Sequence, residues 1–170
     1  DLHSFPTRRS SDLEPAELLN KASKVCMLLD PYFGAPDLYY AYLIQNTSLP
    51  IQIISSAAFL KSKSESHSGR KMKQAFLLRR SLAKYKRALP HQSIAVKVLP
   101  GGKSPLHDRY IVIDENVYLL GSSFNEFGSR ATTLIKVPDP LPMVTQAGNW
   151  WTDAKTKSLD DYIKSLKSTK

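Results

Sequence analysis

The sequence predicts an α/β fold, a mixed β-sheet flanked by helices. Two observations predict it. Short apolar runs alternate with helix-length segments in the first half of the chain, and consecutive β-rich runs follow in the second half. The first pattern implies strands joined by helical crossovers and the second adds neighbours joined directly, so the sheet is expected to mix both senses.

Taken in order, Lys24 to Leu29 (KVCMLL) is a buried strand that ends at Asp30-Pro31, where proline removes a ladder donor. Gly34-Ala35-Pro36-Asp37 punctuates the chain, and Leu38 to Asn46 (LYYAYLIQN) has helical length with asparagine at its end. Ile51 to Ile54 reads as a second strand, and the serine-rich Lys61 to Arg70 as a surface loop. From Arg70 to Leu89, Ala75, Leu78, Leu82, Tyr85 and Leu89 recur at three- and four-residue steps, which predicts an amphipathic helix. Ser93 to Leu99 alternates into a third strand closed by Pro100-Gly101-Gly102. Tyr110 to Ile113 and Val117 to Leu120 flank Asp114-Glu115-Asn116 as a hairpin, and Leu134 to Val137 is one more strand. Asn149 to Lys167 is expected to be a helix packed on the sheet, with Trp150 and Trp151 as core or edge packing.

His3 to Leu13 (HSFPTRRSSDL) reads as one forward frame of a common sequencing adapter. Residues 1–13 are therefore set aside, and 14–170 are taken as one domain, the expected C-terminal part of a longer protein. With 42% hydrophobic and 23% charged residues, the composition excludes disordered and fibrous classes. The single cysteine, Cys26, excludes an intrachain disulfide and a multi-cysteine zinc site; a buried thiol in a cytoplasmic protein is expected.

The net charge of +9 points to a polyanionic partner, nucleic acid or an anionic membrane face. Arg70, Lys73, Arg80, Lys84 and Arg87 line the helix face opposite its apolar stripe, and Glu65 is the one acid between Lys61 and Arg87. A solvated helix surface and a phosphate-contacting one both fit this stripe.

The chemistry concentrates in His107 to Asn125, HDRYIVIDENVYLLGSSFN. A histidine and a cation two residues apart at a strand start leave on one face. Arg109 can grip an oxyanion through its planar fork, and His107 can act as nucleophile or proton carrier. Gly121-Ser122-Ser123 permits close backbone approach, and with Asn125 can complete a phosphate cradle. A metal site from His107, Asp108 and Asp114 is disfavoured, because no further histidine or cysteine stands at ligand spacing.

These spacings resemble the phospholipase D superfamily, whose motif is written H-x-K-x4-D-x6-G-S-x-x-N. Here His107, Arg109 in place of lysine, Asp114, Gly121, Ser122 and Asn125 occupy its positions. The resemblance extends from Lys24 onward, since Asp30-Pro31-Tyr32-Phe33 is similar to a strand end in some bacterial members. It implies one phospholipase D-like half, without metal or cofactor, working through a phosphohistidine. His107 would attack phosphorus or serve as its acid–base counterpart, Arg109 would neutralise the phosphate, Ser122 and Asn125 would orient it, and Asp114 would support a histidine. The lysine-to-Arg109 departure, and the lack of an acid in Arg130 to Thr133, leave two outcomes open. One is a nuclease-like phosphodiesterase; the other is an inactive module binding nucleic acid or anionic lipid head groups. The motif occurs once, because His67 and His91 lack the cation two residues on. A homodimer, or a second half in a missing N-terminal region, would supply the other histidine.

Overall fold

A computed structural model describes residues 13–65, 69, 71–121, 124 and 133–168. Its centre is a seven-stranded mixed sheet in the order β8-β7-β6-β1-β2-β5-β9. Strands β1 (Cys26–Leu29), β2 (Ile51–Ser56) and β5 (Ile94–Leu99) run parallel. β6 (Arg109–Ile113), β7 (Asn116–Leu120) and β8 (Leu134–Lys136) extend the sheet antiparallel from β1, and β9 (Lys157–Ser158) pairs antiparallel with β5.

Both faces are covered, which is why all four residues of β1 are buried and apolar. Cys26 and Leu28 point to one face, under α1 (Leu13–Leu19), α4 (Gln74–Ala88) and α6 (Leu159–Lys167). Met27 and Leu29 point to the other, under α5 (Leu141–Thr152), which brings Met143, Val144, Ala147, Trp150 and Trp151. The tryptophans thus pack, as expected. The apolar stripe of α4 falls as the periodicity predicts: Ala75, Leu78, Leu82 and Tyr85 are buried and Leu89 packs partly against them.

Three segments differ from expectation. Leu38 to Asn46 yields a 3-10 turn, Pro36–Leu38, and a single turn of α2 (Tyr39–Tyr42). Asn20 stops it: its amide nitrogen donates to the Leu43 carbonyl, and its amide oxygen accepts from the Gln45 N–H that a longer helix would use. The serine-rich loop contains β3 (Lys63–Glu65), paired with β4 (Lys71–Lys73) after the short α3 (Ala57–Lys61). The expected C-terminal helix is two helices. Asp153 breaks the first by accepting the Lys155 N–H in a local turn, and Ser158 starts α6 by accepting the Asp161 N–H.

Candidate functional site

The carboxyl ends of the parallel strands, where ligands bind in open α/β sheets, gather the side chains of interest. Pro31 ends β1, and the Asp30 carboxylate accepts the Tyr32 N–H at 2.7 Å to close the turn. That turn is bolted to β2: the Ser56 hydroxyl donates to the Pro31 carbonyl at 2.6 Å and Ser55 to that of Phe33 at 3.0 Å. β6 runs the other way, so its first residue, Arg109, arrives beside the end of β1.

Arg109 meets Asp30 there. Its Nε lies 3.2 Å from Oδ2 of a carboxylate that is 1% exposed, without hydrogen-bond alignment, so the contact is an ion pair. Burial pushes the Asp30 carboxyl up, and the Tyr32 amide, the Arg109 charge and the Phe124 amide only partly offset this. The guanidinium carbon also sits 5.4 Å over the ring of Tyr32. Among the described residues, Arg109 is therefore held from two sides.

His107, two residues earlier, is exposed and lines a cleft of about 440 Å³ with Pro31, Tyr32, Ser56, Lys103 and Ser104. His107, Lys103 and Ser104 line a space that suits an oxyanion, whereas the Ser56 hydroxyl proton is already given to the Pro31 carbonyl. No cluster of three metal-ligating side chains occurs among the described residues.

Other members of the sequence-derived set are not brought here. Asp114 does not support a histidine. It sits at the far end of β6, about 16 Å along the strand from Arg109, in the two-residue turn to β7 with φ 54°. Its carboxylate accepts the N–H groups of Ser23, Lys24 and Val25 and the Ser23 hydroxyl. Burial alone would raise this carboxyl, but those amides and the hydroxyl overcome it and hold it at about 2. Gly121 does not offer its amide to a ligand either, because that N–H donates to the Thr133 carbonyl at 2.8 Å. A Cβ at Gly121 would meet the Thr133 Cβ at 3.2 Å, so this glycine serves strand packing. Ser122, Ser123, Asn125 and Arg70 lie outside the described residues.

The basic stripe divides. Lys73 precedes α4, on β4 opposite Lys63, and lines a separate cavity with Lys61. Arg80 and Lys84 line a groove of about 640 Å³, and Arg87 is exposed in the last turn of α4. Sequence reasoning missed Asp30, Tyr32 and Lys103 as site residues. The signals were an acid directly before the proline that ends a buried strand, and a lysine in the Gly-Gly-Lys-Ser loop after β5.

No protein-family description matches the chain, and no curated protein does. Among solved structures, the phosphatidylserine synthase of Haemophilus influenzae, a phospholipase D superfamily member, superposes with a TM-score of 0.56 at 19% identity. The match covers 88% of this chain and 37% of the synthase. NucT from Helicobacter pylori matches at TM-score 0.45 and 15% identity, over 93% of this chain and 88% of that one. TrmBL2, an archaeal chromatin protein with a novel mode of DNA binding, matches at 0.47 and 14%, over 83% and 48%. The chain thus spans less than half of the synthase and of TrmBL2. The synthase superposition, over a seven-stranded mixed sheet flanked by helices, shows that the chain has a phospholipase D-like fold.

Proposed function

We propose that this chain supplies one half of a metal-independent phosphodiesterase site that acts on nucleic acid. The observation that carries the reading is the exposed His107 beside Lys103 in a cleft at the carboxyl edge of the sheet, with Arg109 fixed two residues on.

In the first step a ring nitrogen of His107 attacks phosphorus, the ester P–O bond breaks, and the leaving oxygen takes a proton from a second histidine. Water then adds to phosphorus, the P–N bond breaks, and the second histidine takes the proton back from water. Lys103 and Arg109 neutralise charge on the phosphoryl oxygens, and Ser122, Ser123 and Asn125 orient them. His91 is not the second histidine: it precedes β5, whose six residues put it about 20 Å from the carboxyl edge. The partner is His107 of a second copy across a two-fold axis, or a second half in a longer chain.

Nucleic acid is favoured over an anionic lipid head group because Arg80 and Lys84 line a groove that adjoins the His107 cleft, where further backbone phosphates of a polymer would lie. No described helix is long and apolar enough to cross a membrane. The arginine at position 109 favours a second reading, a non-catalytic phosphate-binding module, because a guanidinium grips phosphate but does not give up a proton at ordinary pH.

The test is hydrolysis of bis(p-nitrophenyl) phosphate and of a DNA oligonucleotide in excess EDTA. Turnover in the native protein that disappears in His107→Ala is the expected result. Absence of turnover in a folded dimer, with DNA binding retained, would establish the second reading instead.

A further inference from the structure

The His107 cleft and the Arg80–Lys84 groove share one wall, formed by Tyr32 and Phe59. The two rings meet edge to face at 5.9 Å and 79°. Tyr32 is 56% exposed although it sits in a turn pinned to two strands. A rigid backbone thus holds an aromatic ring in solvent, with Arg109 against it.

Resting on the nucleic-acid reading above, we infer that this groove binds the single-stranded segment flanking the scissile phosphate, with Tyr32 as the surface on which an unpaired base stacks. A polymer leaving the His107 cleft on this side crosses Tyr32 first. Beyond it, Gln74, Arg80, Ser81 and Lys84 of α4 line one wall; Asp37 and Glu65 also border the groove, and the Asp37 carboxylate accepts the Gly34 N–H at 2.7 Å. Arg80 and Lys84 are one helical turn apart, about 6 Å along the axis, a rise on the scale of successive phosphates in an extended strand. Gln74 and Ser81 add neutral donors and acceptors to the same wall.

The groove selects strandedness through two features. At about 640 Å³ it has room for a nucleotide or two of an extended strand. The Tyr32 ring is useful only to a base with a free π-face, which pairing and stacking within a duplex deny. Cations and one aromatic ring in a narrow track are the usual means of holding a single strand without reading its sequence. A lipid head group would use the His107 cleft and leave Arg80 and Lys84 idle.

Binding is measured by fluorescence anisotropy on the full chain carrying His107→Ala, so that turnover does not enter. The probes are a labelled 20-mer and its duplex; the comparison proteins add Arg80→Ala/Lys84→Ala, Tyr32→Ala, Tyr32→Phe or Lys155→Ala. Lys155 follows α5 on the opposite face of the sheet. The single strand should bind at least about ten-fold tighter than the duplex. The double variant should lose about ten-fold in affinity, and its salt slope should fall by about 1.4, about 0.7 for each lost phosphate contact. Tyr32→Ala should lose about ten-fold while Tyr32→Phe stays near the parent. Equal affinity for duplex and single strand, or a double variant no weaker than Lys155→Ala, would overturn the groove and leave the nucleic-acid reading standing. If neither probe binds the parent, both fall together.

Discussion

Replacing Asp30 probes the ion pair beneath the site. The carboxylate is 1% exposed, faces the Arg109 Nε at 3.2 Å, and accepts the Tyr32 N–H at 2.7 Å. Asp30→Ala strands the guanidinium and an amide together. Removing one member of a buried pair costs about 3–5 kcal/mol, and the 23% exposure of the Arg109 side chain places this case at about 3. In a chain of this size that lowers Tm by roughly 6–12 °C. Asp30→Asn keeps an acceptor for the Tyr32 amide and removes a charge that burial disfavours, so its cost should be nearer about 1 kcal/mol. The sign with pH follows from the raised carboxyl. A group raised in the folded state contributes stability below its unfolded value and loses it as pH rises through the folded one. Arg109→Ala removes a charge that holds Asp30 down, so its stability gap to the native protein should widen as pH rises above about 4. Thermal unfolding followed by circular dichroism, with urea titrations at several pH values, reads all three variants. If Asp30→Ala unfolds within a degree or two of the native protein, or costs no more than Asp30→Asn, the pair does not hold Arg109.

Asp114 should stabilise the β6–β7 turn rather than turnover. Its lowered carboxyl contributes stability above the unfolded value and loses it as pH falls through about 2, so the Tm deficit of Asp114→Asn should be full near pH 6 and shrink to a small remnant near pH 2. Cys26 is wholly buried in β1, and burial pushes its thiol up to about 12. It should therefore react with a thiol reagent only after denaturation, and rapid labelling of the folded chain would contradict the packing of β1.

Much of the sheet was legible because its strands are short apolar runs bounded by proline, glycine or asparagine. KVCMLL before Asp30-Pro31, SIAVKVL before Pro100-Gly101, and the runs around Asp114-Glu115 all appear within a residue or two of their expected places. The apolar stripe of α4 was legible for the same local reason. The β3–β4 hairpin and the division of the C-terminal segment were not. Three-residue strands leave too little periodicity, and the break at Asp153 depends on a single side chain competing with the helix. Motif spacing grouped Asp114 and Gly121 with His107 and Arg109, but the structure parts them, because spacing cannot tell a candidate reacting group from one that braces a turn or admits a neighbouring strand.

By itself the sequence determined the α/β class, the apolar strands, the amphipathic α4 and the histidine–arginine pair at a strand start, because each is written in neighbouring residues. Tertiary structure decided what those residues face. Antiparallel pairing of β6 with β1 sets Arg109 on Asp30, and the turn after β1 puts Tyr32 between two clefts. Packing of α4 beside that turn directs Arg80 and Lys84, but not Lys73, into the groove that ends there. These contacts join residues far apart along the chain, and only the register and layering of the sheet bring such residues within reach of one another.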